Sequence, residues 1–220
     1  MGSVGSVAAP QVPLASALWP LVVGGLTWLA DRGLPDEWHQ AGSSYAVWSL
    51  TAYIVARSSA AALWPAARSG TMALVLLVAG YYVTALAWGS GASPLEVLFW
   101  SVTALVAGPG LGFLAWCRSR DGWSAAGGPA VLGAIFVAEA YERVGPSLAR
   151  LGASRAPGIE VVVLSRAELV AALLWAVTGV IVTLVAAGSR WRRAALLLPV
   201  AAAALAGLLA TVDSCRDLLT

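Results

Sequence analysis

The residue with the clearest chemical potential is Glu139, because it lies inside a strongly apolar stretch. That stretch runs from Gly127 to Gly145 as GGPAVLGAIFVAEAYERVG. It is long enough to cross a bilayer, which takes about 20 apolar residues. A carboxylate at membrane depth is costly, so Glu139 is a functional candidate. The structural alternative is an ion pair with a nearby arginine such as Arg143, and the sequence leaves both interpretations open.

The composition predicts an all-α integral membrane protein. Hydrophobic residues make up 60% of the 220 positions and charged residues only 11%, which is far more apolar surface than a soluble domain of this size needs. We predict a single domain over residues 1–220, built as a bundle of about seven transmembrane helices in a lipid bilayer. The apolar runs are residues 14–30, 43–63, 70–88, 95–117, 127–145, 161–187 and 191–212. Gly108 and Gly112, in the fourth run, are spaced for close helix contact.

The acidic residues are predicted to share one end of this bundle. Consecutive helices point in opposite directions, so the ends of odd runs and the starts of even runs meet. Asp121 is then the one acidic residue at the opposite end. The other ten of the eleven lie together: Asp31, Asp36, Glu37, Glu96, Glu139, Glu142, Glu160, Glu168, Asp213 and Asp217. This grouping depends on the number of spans but not on the absolute orientation.

Aromatic residues with polar tips gather at the same acidic end. They are Tyr45, Trp48, Tyr81, Tyr82, Trp88, Trp100 and Tyr141. An interfacial belt is the alternative, since Trp and Tyr are expected at both membrane surfaces. The belt accounts better for the isolated tryptophans at the other end. A one-sided cluster of acids and tyrosines favours a pocket that opens toward the acidic end.

Arginine placement predicts the orientation. The connections after the second, fourth and sixth runs carry most of the arginines, and lysine is absent from the chain. The arginines around the fifth connection, such as Arg150 and Arg155, oppose this assignment. Positive residues of short loops favour the cytoplasmic side. We therefore expect a multi-pass protein of the cell membrane with a cytoplasmic N-terminus and an external C-terminus.

Several chemistries lack the residues they need. The single histidine, His39, lies in a connection, so a serine–histidine–acid set is absent and no metal site is expected. Cys117 and Cys215 fall at opposite ends of the predicted bundle, which excludes a disulfide between them. Nucleotide-binding fingerprints are missing, and no cofactor is predicted. A net charge of +2 without a dense basic run gives no reason to expect nucleic acid as a partner.

An apolar site with an isolated carboxyl group permits acid catalysis. Burial favours the protonated form of a carboxyl group, which can then donate a proton at neutral pH. Aromatic faces can stabilise a developing cation by ~0.5–2 kcal/mol each. This pairing suits protonation of an alkene and cyclisation of a polyene, and it equally suits binding of an organic cation.

Three runs carry a resemblance to known proteins: GYYVTALAWG at 80–89, FWSVTALVAGPGLG at 99–112 and GAIFVAEAYERVG at 133–145. Across residues 28–145 the chain resembles a family of small actinobacterial multi-spanning proteins of unassigned function. In size and span number it is also similar to the membrane-bound terpene cyclases of indole- and diketopiperazine-terpenoid pathways. That similarity implies metal-independent, proton-initiated cyclisation of a prenylated small molecule, such as a farnesylated indole, in antibiotic or other specialised metabolism.

The leading hypothesis is therefore a membrane terpene cyclase. Glu139 would be the proton donor and Asp213 a second acid, with the substrate-binding walls formed by Trp48, Tyr81, Tyr82, Trp100 and Tyr141. The alternative is a small transporter, or an immunity or accessory membrane protein, that binds a hydrophobic or cationic ligand with the same residues. A third hypothesis is a subunit that docks another protein. The sequence specifies neither the substrate nor the oligomeric state.

Overall fold

The computed structural model describes residues 14–35, 38, 42, 44–153 and 166–217, with side chains over 18–35, 38, 42, 44–144 and 168–207. Every regular element in these ranges is helical. The α-helices are α1 (Leu14–Gly33), α2 (Tyr45–Arg57), α3 (Leu63–Ala87), α4 (Pro94–Arg118), α5 (Trp123–Ala153), α6 (Arg166–Ala187) and α7 (Trp191–Asp217). A short 3-10 turn, Gly188–Arg190, joins α6 to α7.

Four stretches of the described residues are long and apolar enough to cross a membrane. They are Leu63–Ala87, Pro94–Arg118, Trp123–Val144 and Glu168–Gly207, and the last contains both α6 and α7. This fits a membrane protein, but the predicted count of seven spans is not confirmed. The second run is shorter than predicted, since α2 has 13 residues and ends at Arg57. At 1.5 Å per residue it reaches only about 20 Å, against ~30 Å of hydrocarbon.

Contacts between helix ends show that consecutive helices alternate in direction. At one end, Trp28 of α1 packs on Trp88 just after α3, with ring centroids 5.9 Å apart. At the other end, the Ser119 hydroxyl after α4 donates to the Ala60 carbonyl between α2 and α3, at 3.2 Å. We call the end with Trp28 and Trp88 the acidic end, and the end with Ala60 and Ser119 the arginine-bearing end.

The helices cross closely at glycine. A Cβ on Gly24 of α1 would collide with the Leu77 carbonyl oxygen of α3, and one on Gly80 with the Leu21 carbonyl oxygen. Gly108 and Gly112 of α4 lie equally close to the backbone of α3, at Thr71 and Ala66. The predicted close contact of these two glycines is therefore present. Backbones can approach this far only where side chains are missing, which is typical of helix packing in membranes.

Large apolar side chains cover the outside of the bundle. The most exposed include Val106 (74%), Val185 (77%), Val200 (71%), Leu196 (68%) and Leu173 (65%). They lie on α4, α6 and α7, which all belong to the stretches long and apolar enough to cross a membrane. An aqueous surface rarely carries so many large apolar groups. Their distribution is the one expected of helices that face lipid.

Candidate functional site: a carboxylate anchor and an aromatic row

The geometry around Glu139 begins with the start of α2. Ser44 precedes the helix as its N-cap, and its hydroxyl accepts the Val47 backbone N–H at 3.2 Å. The same hydroxyl donates to Glu139 Oε2 at 2.8 Å, and the Ala46 N–H donates to that oxygen at 3.2 Å. The first N–H groups of a helix have no partner inside the helix and attract negative charge. Glu139 therefore accepts a free backbone N–H at the beginning of α2, and its negative charge offsets the partial positive charge of that helix end.

Glu139 also joins α5 to α6. The Trp175 indole N–H of α6 donates to the same oxygen, Oε2, at 3.1 Å. On the other side, an Arg143 guanidinium nitrogen lies 3.8 Å from Oε1, one helical turn along α5. Arg143 also stacks over the Trp175 ring at 4.9 Å. The structural alternative considered for Glu139, an ion pair with Arg143, is therefore present. We call Ser44, Glu139, Arg143 and Trp175 the carboxylate anchor.

The contacts of Glu139 suit a residue that holds helices together better than a residue that donates a proton to a ligand. Glu139 is only 7% exposed. Its Oε2 already accepts three hydrogen bonds, and a proton on Oε1 would face the Arg143 cation. A buried carboxyl group in such surroundings holds its neighbours in place. The predicted role of Glu139 as a proton donor stays a prediction.

The second feature is a continuous row of aromatic rings at the acidic end. Tyr45 and Trp48 of α2 both pack on Trp100 of α4, with ring centroids 5.6 and 5.8 Å apart. Trp48 contacts Tyr81 of α3 at 5.9 Å, and Tyr81 contacts Tyr82 at 5.3 Å. These five rings form the aromatic row. Four of the five predicted binding residues are thus brought together, and Tyr45 joins them.

One carboxylate is bonded to this row. The Tyr81 hydroxyl donates to Asp31 Oδ2 at 2.9 Å, which ties the end of α1 to the end of α3. The Trp48 indole N–H donates to the Thr27 hydroxyl of α1 at 3.3 Å. Tyr81 is hydrogen bonded to Asp31, whereas Glu139 is bonded to Ser44, Ala46 and Trp175. The acidic end therefore holds two separate features, the carboxylate anchor and the aromatic row with Asp31.

Of the two remaining predicted site residues, Tyr141 and Asp213, only Tyr141 has a described side chain, and it joins neither feature. Tyr141 is 60% exposed, which fits a ring at a membrane surface. The side chains of Asp213 and Cys215, and the whole of Asp36, Glu37, His39 and Glu160, lie outside the described residues. An apolar groove of about 400 Å³ lies elsewhere, between α5, α6 and α7. Among the predicted site residues whose side chains are described, none lines that groove.

Two members of the anchor were not predicted from the sequence. A serine just before an apolar run is a typical N-cap, so the signal for Ser44 was available. Trp175 gave no such signal, because its pairing with Glu139 depends on how α5 and α6 pack. Close packing at Gly133 and Gly179 sets that register: a Cβ on Gly179 would lie 2.5 Å from the Gly133 carbonyl oxygen.

Metal coordination has no visible basis in the part of the chain that the structure describes. No three His, Cys, Asp or Glu side chains lie close enough there to hold an ion. Cys117 is buried and unpaired at the arginine-bearing end. Together, the helices, their close crossings and the apolar outer surface make up an α-helical bundle that fits a membrane protein.

The comparisons with known proteins place this bundle in a family. Residues 6–147 match a family of unknown function (DUF6518), and the chain belongs to that family. The match covers α1 to α4 and most of α5, so it includes Ser44, Glu139 and the aromatic row but ends before Trp175. It shows no similarity to terpene cyclases. A search of curated proteins and a search of solved structures find no match to the chain.

Proposed function

We propose that this protein is a membrane-embedded binding protein for a lipophilic cation, which it takes up at the aromatic row. This is the transporter or accessory function left open by the sequence. The observation that carries it is the row itself, in which five rings from three helices are in contact and one of them, Tyr81, is bonded to the carboxylate of Asp31. Aromatic faces and one carboxylate are the usual means of holding an organic cation.

The row is accessible enough to receive a ligand. Tyr45, Trp48, Tyr81 and Trp100 are each partly exposed, whereas Tyr82 is only 8% exposed at the end of the row. Glu96 begins α4 four residues before Trp100 and adds a second acidic group at this end. Among the described side chains near the row, Arg32 is the arginine that opposes these two acids, and it stacks on Trp28 at 5.8 Å. The local charge therefore favours a cation over an anion.

The carboxylate anchor supports this function indirectly. Glu139 bonds the start of α2, and α2 carries both Tyr45 and Trp48. The anchor thus fixes the position of two rings of the row without touching the ligand. Glu139 acts in this proposal as a positioning residue.

Seven spans are part of the same proposal. Alternating helix directions are supported by the end contacts, and α2 would be the shortest span, completed by the turn residues that follow Arg57. The orientation keeps the arginine-bearing end in the cytoplasm. The cation would then enter the row from the outer side of the membrane.

A pair of ions with the same shape and opposite charge tests the binding function. Tetraphenylphosphonium should bind the purified protein saturably in non-ionic detergent, and tetraphenylborate should not, by isothermal titration calorimetry. Removing one ring costs ~0.5–2 kcal/mol, so Trp48→Leu should weaken binding about 2- to 30-fold. Asp31→Asn should weaken it as well. Trp64→Leu, at an exposed ring of the opposite end, is the matched control and should change nothing. Equal affinity for both ions would rule out the proposal.

Proton-initiated cyclisation is the second candidate, because the same row would stabilise a carbocation in a folded prenyl chain. It needs a proton donor, for which Glu139 and Asp213 stay the predicted residues. A prenylated indole incubated with membranes provides the test. The cyclase hypothesis expects cyclised product that is lost with Glu139→Gln or Asp213→Asn. Product formation that survives both substitutions would remove both acids from the mechanism.

A further inference from the structure

The arginine-bearing end carries a surface that the proposed function does not use. Arg190, Arg192 and Arg193 lie within four residues of one another, where the 3-10 turn leads from α6 into α7. Arg190 is paired with Asp121 at 3.3 Å. Among the described side chains, neither Arg192 nor Arg193 forms an ion pair with a carboxylate, and both are exposed. Two positive charges are thus left without a counter-ion.

The two arginines face different ways. Arg193 stacks over Trp123 at the start of α5, at 5.5 Å. Arg192 stacks over its neighbour Trp191 at 5.5 Å. Seven residues separate Arg192 from Pro199, which is about 20° short of two helical turns, so both lie on one face of α7. Arg193 is rotated by about a further 100°. Only Arg192 therefore lies in line with Pro199.

Pro199 is part of the apolar groove. The groove of about 400 Å³ is lined by Val137 of α5, by four residues of α6 that include Val177, and by Leu198, Pro199 and Ala202 of α7. Its lining presents no polar surface. Pro199 lies about 10 Å from Arg192 along the axis of α7, and Ala202 about 15 Å. The positive charge of Arg192 thus lies closer to the arginine-bearing end than the apolar groove, which is on the outer surface of the bundle.

We propose that this surface binds one anionic phospholipid, with its phosphate at Arg192 and one acyl chain in the groove. Arginine binds phosphate through several N–H groups at once. Charge complementarity selects an acidic headgroup, because the choline cation of a zwitterionic lipid carries the same charge as Arg192. The separation of about 10 Å between Arg192 and Pro199 along α7 suits a lipid, because its acyl chain begins close to its phosphate. The tryptophan rings beside both arginines are typical of the headgroup level of a bilayer. Basic surfaces of this kind on the cytoplasmic side of membrane proteins recognise acidic headgroups.

The headgroup contact is tested by two adjacent substitutions. The full-length protein is purified in detergent and titrated with phosphatidylglycerol or phosphatidylcholine, and bound lipid is counted by native mass spectrometry. We expect one phosphatidylglycerol to bind more tightly than phosphatidylcholine. Arg192→Gln should lower the phosphatidylglycerol affinity about fivefold, the value of one arginine near a membrane surface. Arg193→Gln removes the same charge from a position rotated by about 100° around α7 and should have little effect.

The contact between the lipid acyl chain and the groove is tested by filling the groove with a larger side chain. Val177→Trp places a large ring inside the groove and should lower the affinity for both lipids. Val106→Trp puts the same ring on the exposed surface of α4, at a position 74% exposed, and is the control. Unchanged binding in Val177→Trp would overturn the proposal. Equal affinity for the two lipids would do so too, as would equal losses in Arg192→Gln and Arg193→Gln, which would indicate unspecific attraction.

Discussion

The Ser44 hydroxyl donates a 2.8 Å hydrogen bond to Glu139, a residue 95 positions further along the chain. That bond places a buried carboxylate against the first turn of α2, where the Ala46 N–H also points at it. A glutamate that looked from its sequence like an isolated acid in the membrane is therefore a junction between helices. Its partners come from α2 and α6, and its own helix supplies Arg143.

We predict that Glu139→Ala is more destabilising than Glu139→Gln. Both variants leave the buried Arg143 without its counter-charge, and removing one partner of a buried ion pair costs about 3–5 kcal/mol. Alanine also leaves the Trp175 indole and the start of α2 without an acceptor, whereas the glutamine carbonyl oxygen can still accept those bonds, so the loss in glutamine should be smaller by about 1–3 kcal/mol. Thermal unfolding in detergent would measure both. Asp121→Asn, at an ion pair whose carboxylate is fully exposed, serves as the control and should change stability little. Similar losses in all three variants would contradict the anchor.

We predict that Gly80→Ala separates α1 from α3. The added Cβ would collide with the Leu21 carbonyl oxygen, which cannot move without its helix. Overpacking of this kind costs about 1–3 kcal/mol. Gly110→Ala is the matched control, since a Cβ there meets nothing within 4 Å and alanine favours a helix. The thermal midpoint should fall for the first variant and hold or rise for the second. A stable Gly80→Ala protein would mean that the two helices pack less closely than described.

We predict that the loops after α3 and α4 lie on opposite sides of the membrane. Gly91 and Ser119 are both exposed, and each can be changed to cysteine in a chain whose own cysteines are replaced by serine. A maleimide that cannot cross membranes should label Gly91→Cys in intact cells and Ser119→Cys only after permeabilisation. Labelling of both positions from outside would exclude the alternating arrangement. The opposite preference would keep the bundle and invert its orientation.

We predict that the ring of Tyr81 matters more for cation binding than its hydroxyl. Tyr81→Phe removes the 2.9 Å bond to Asp31 but keeps a face in the aromatic row. Its affinity for tetraphenylphosphonium should change by less than about threefold, whereas Tyr81→Leu should lose up to about 30-fold. Isothermal titration calorimetry compares the two. If the phenylalanine variant loses as much as leucine, the hydrogen bond to Asp31, not the ring, forms the site.

The sequence predicted most of the helices and the grouping of the rings, because both follow from local patterns. Apolar run lengths locate α3 to α7, and alternating directions bring Trp48 and Tyr81 to one end. The error in α2 is local too: the chain turns after Arg57, and an apolar run that continues to Leu63 hides that turn. Trp175 could not be predicted as a partner of Glu139, since its position depends on side-chain packing between two distant helices. The groove beside Pro199 could not be predicted either, because it also depends on how the helices pack.

The three donors to Glu139 are synthesised at different times. Ser44 and Ala46 leave the ribosome well before Glu139, but Trp175 follows it by 36 residues. While the chain is growing, the carboxylate of α5 can therefore be bonded only by the beginning of α2 and by Arg143 of its own helix until α6 has been made. We expect this order of synthesis to let α5 dock on α2 first, with the Trp175 bond of α6 added afterwards. Ribosome-bound chains that stop before α6 would reveal this intermediate as an α5 that still exchanges with the surrounding lipid.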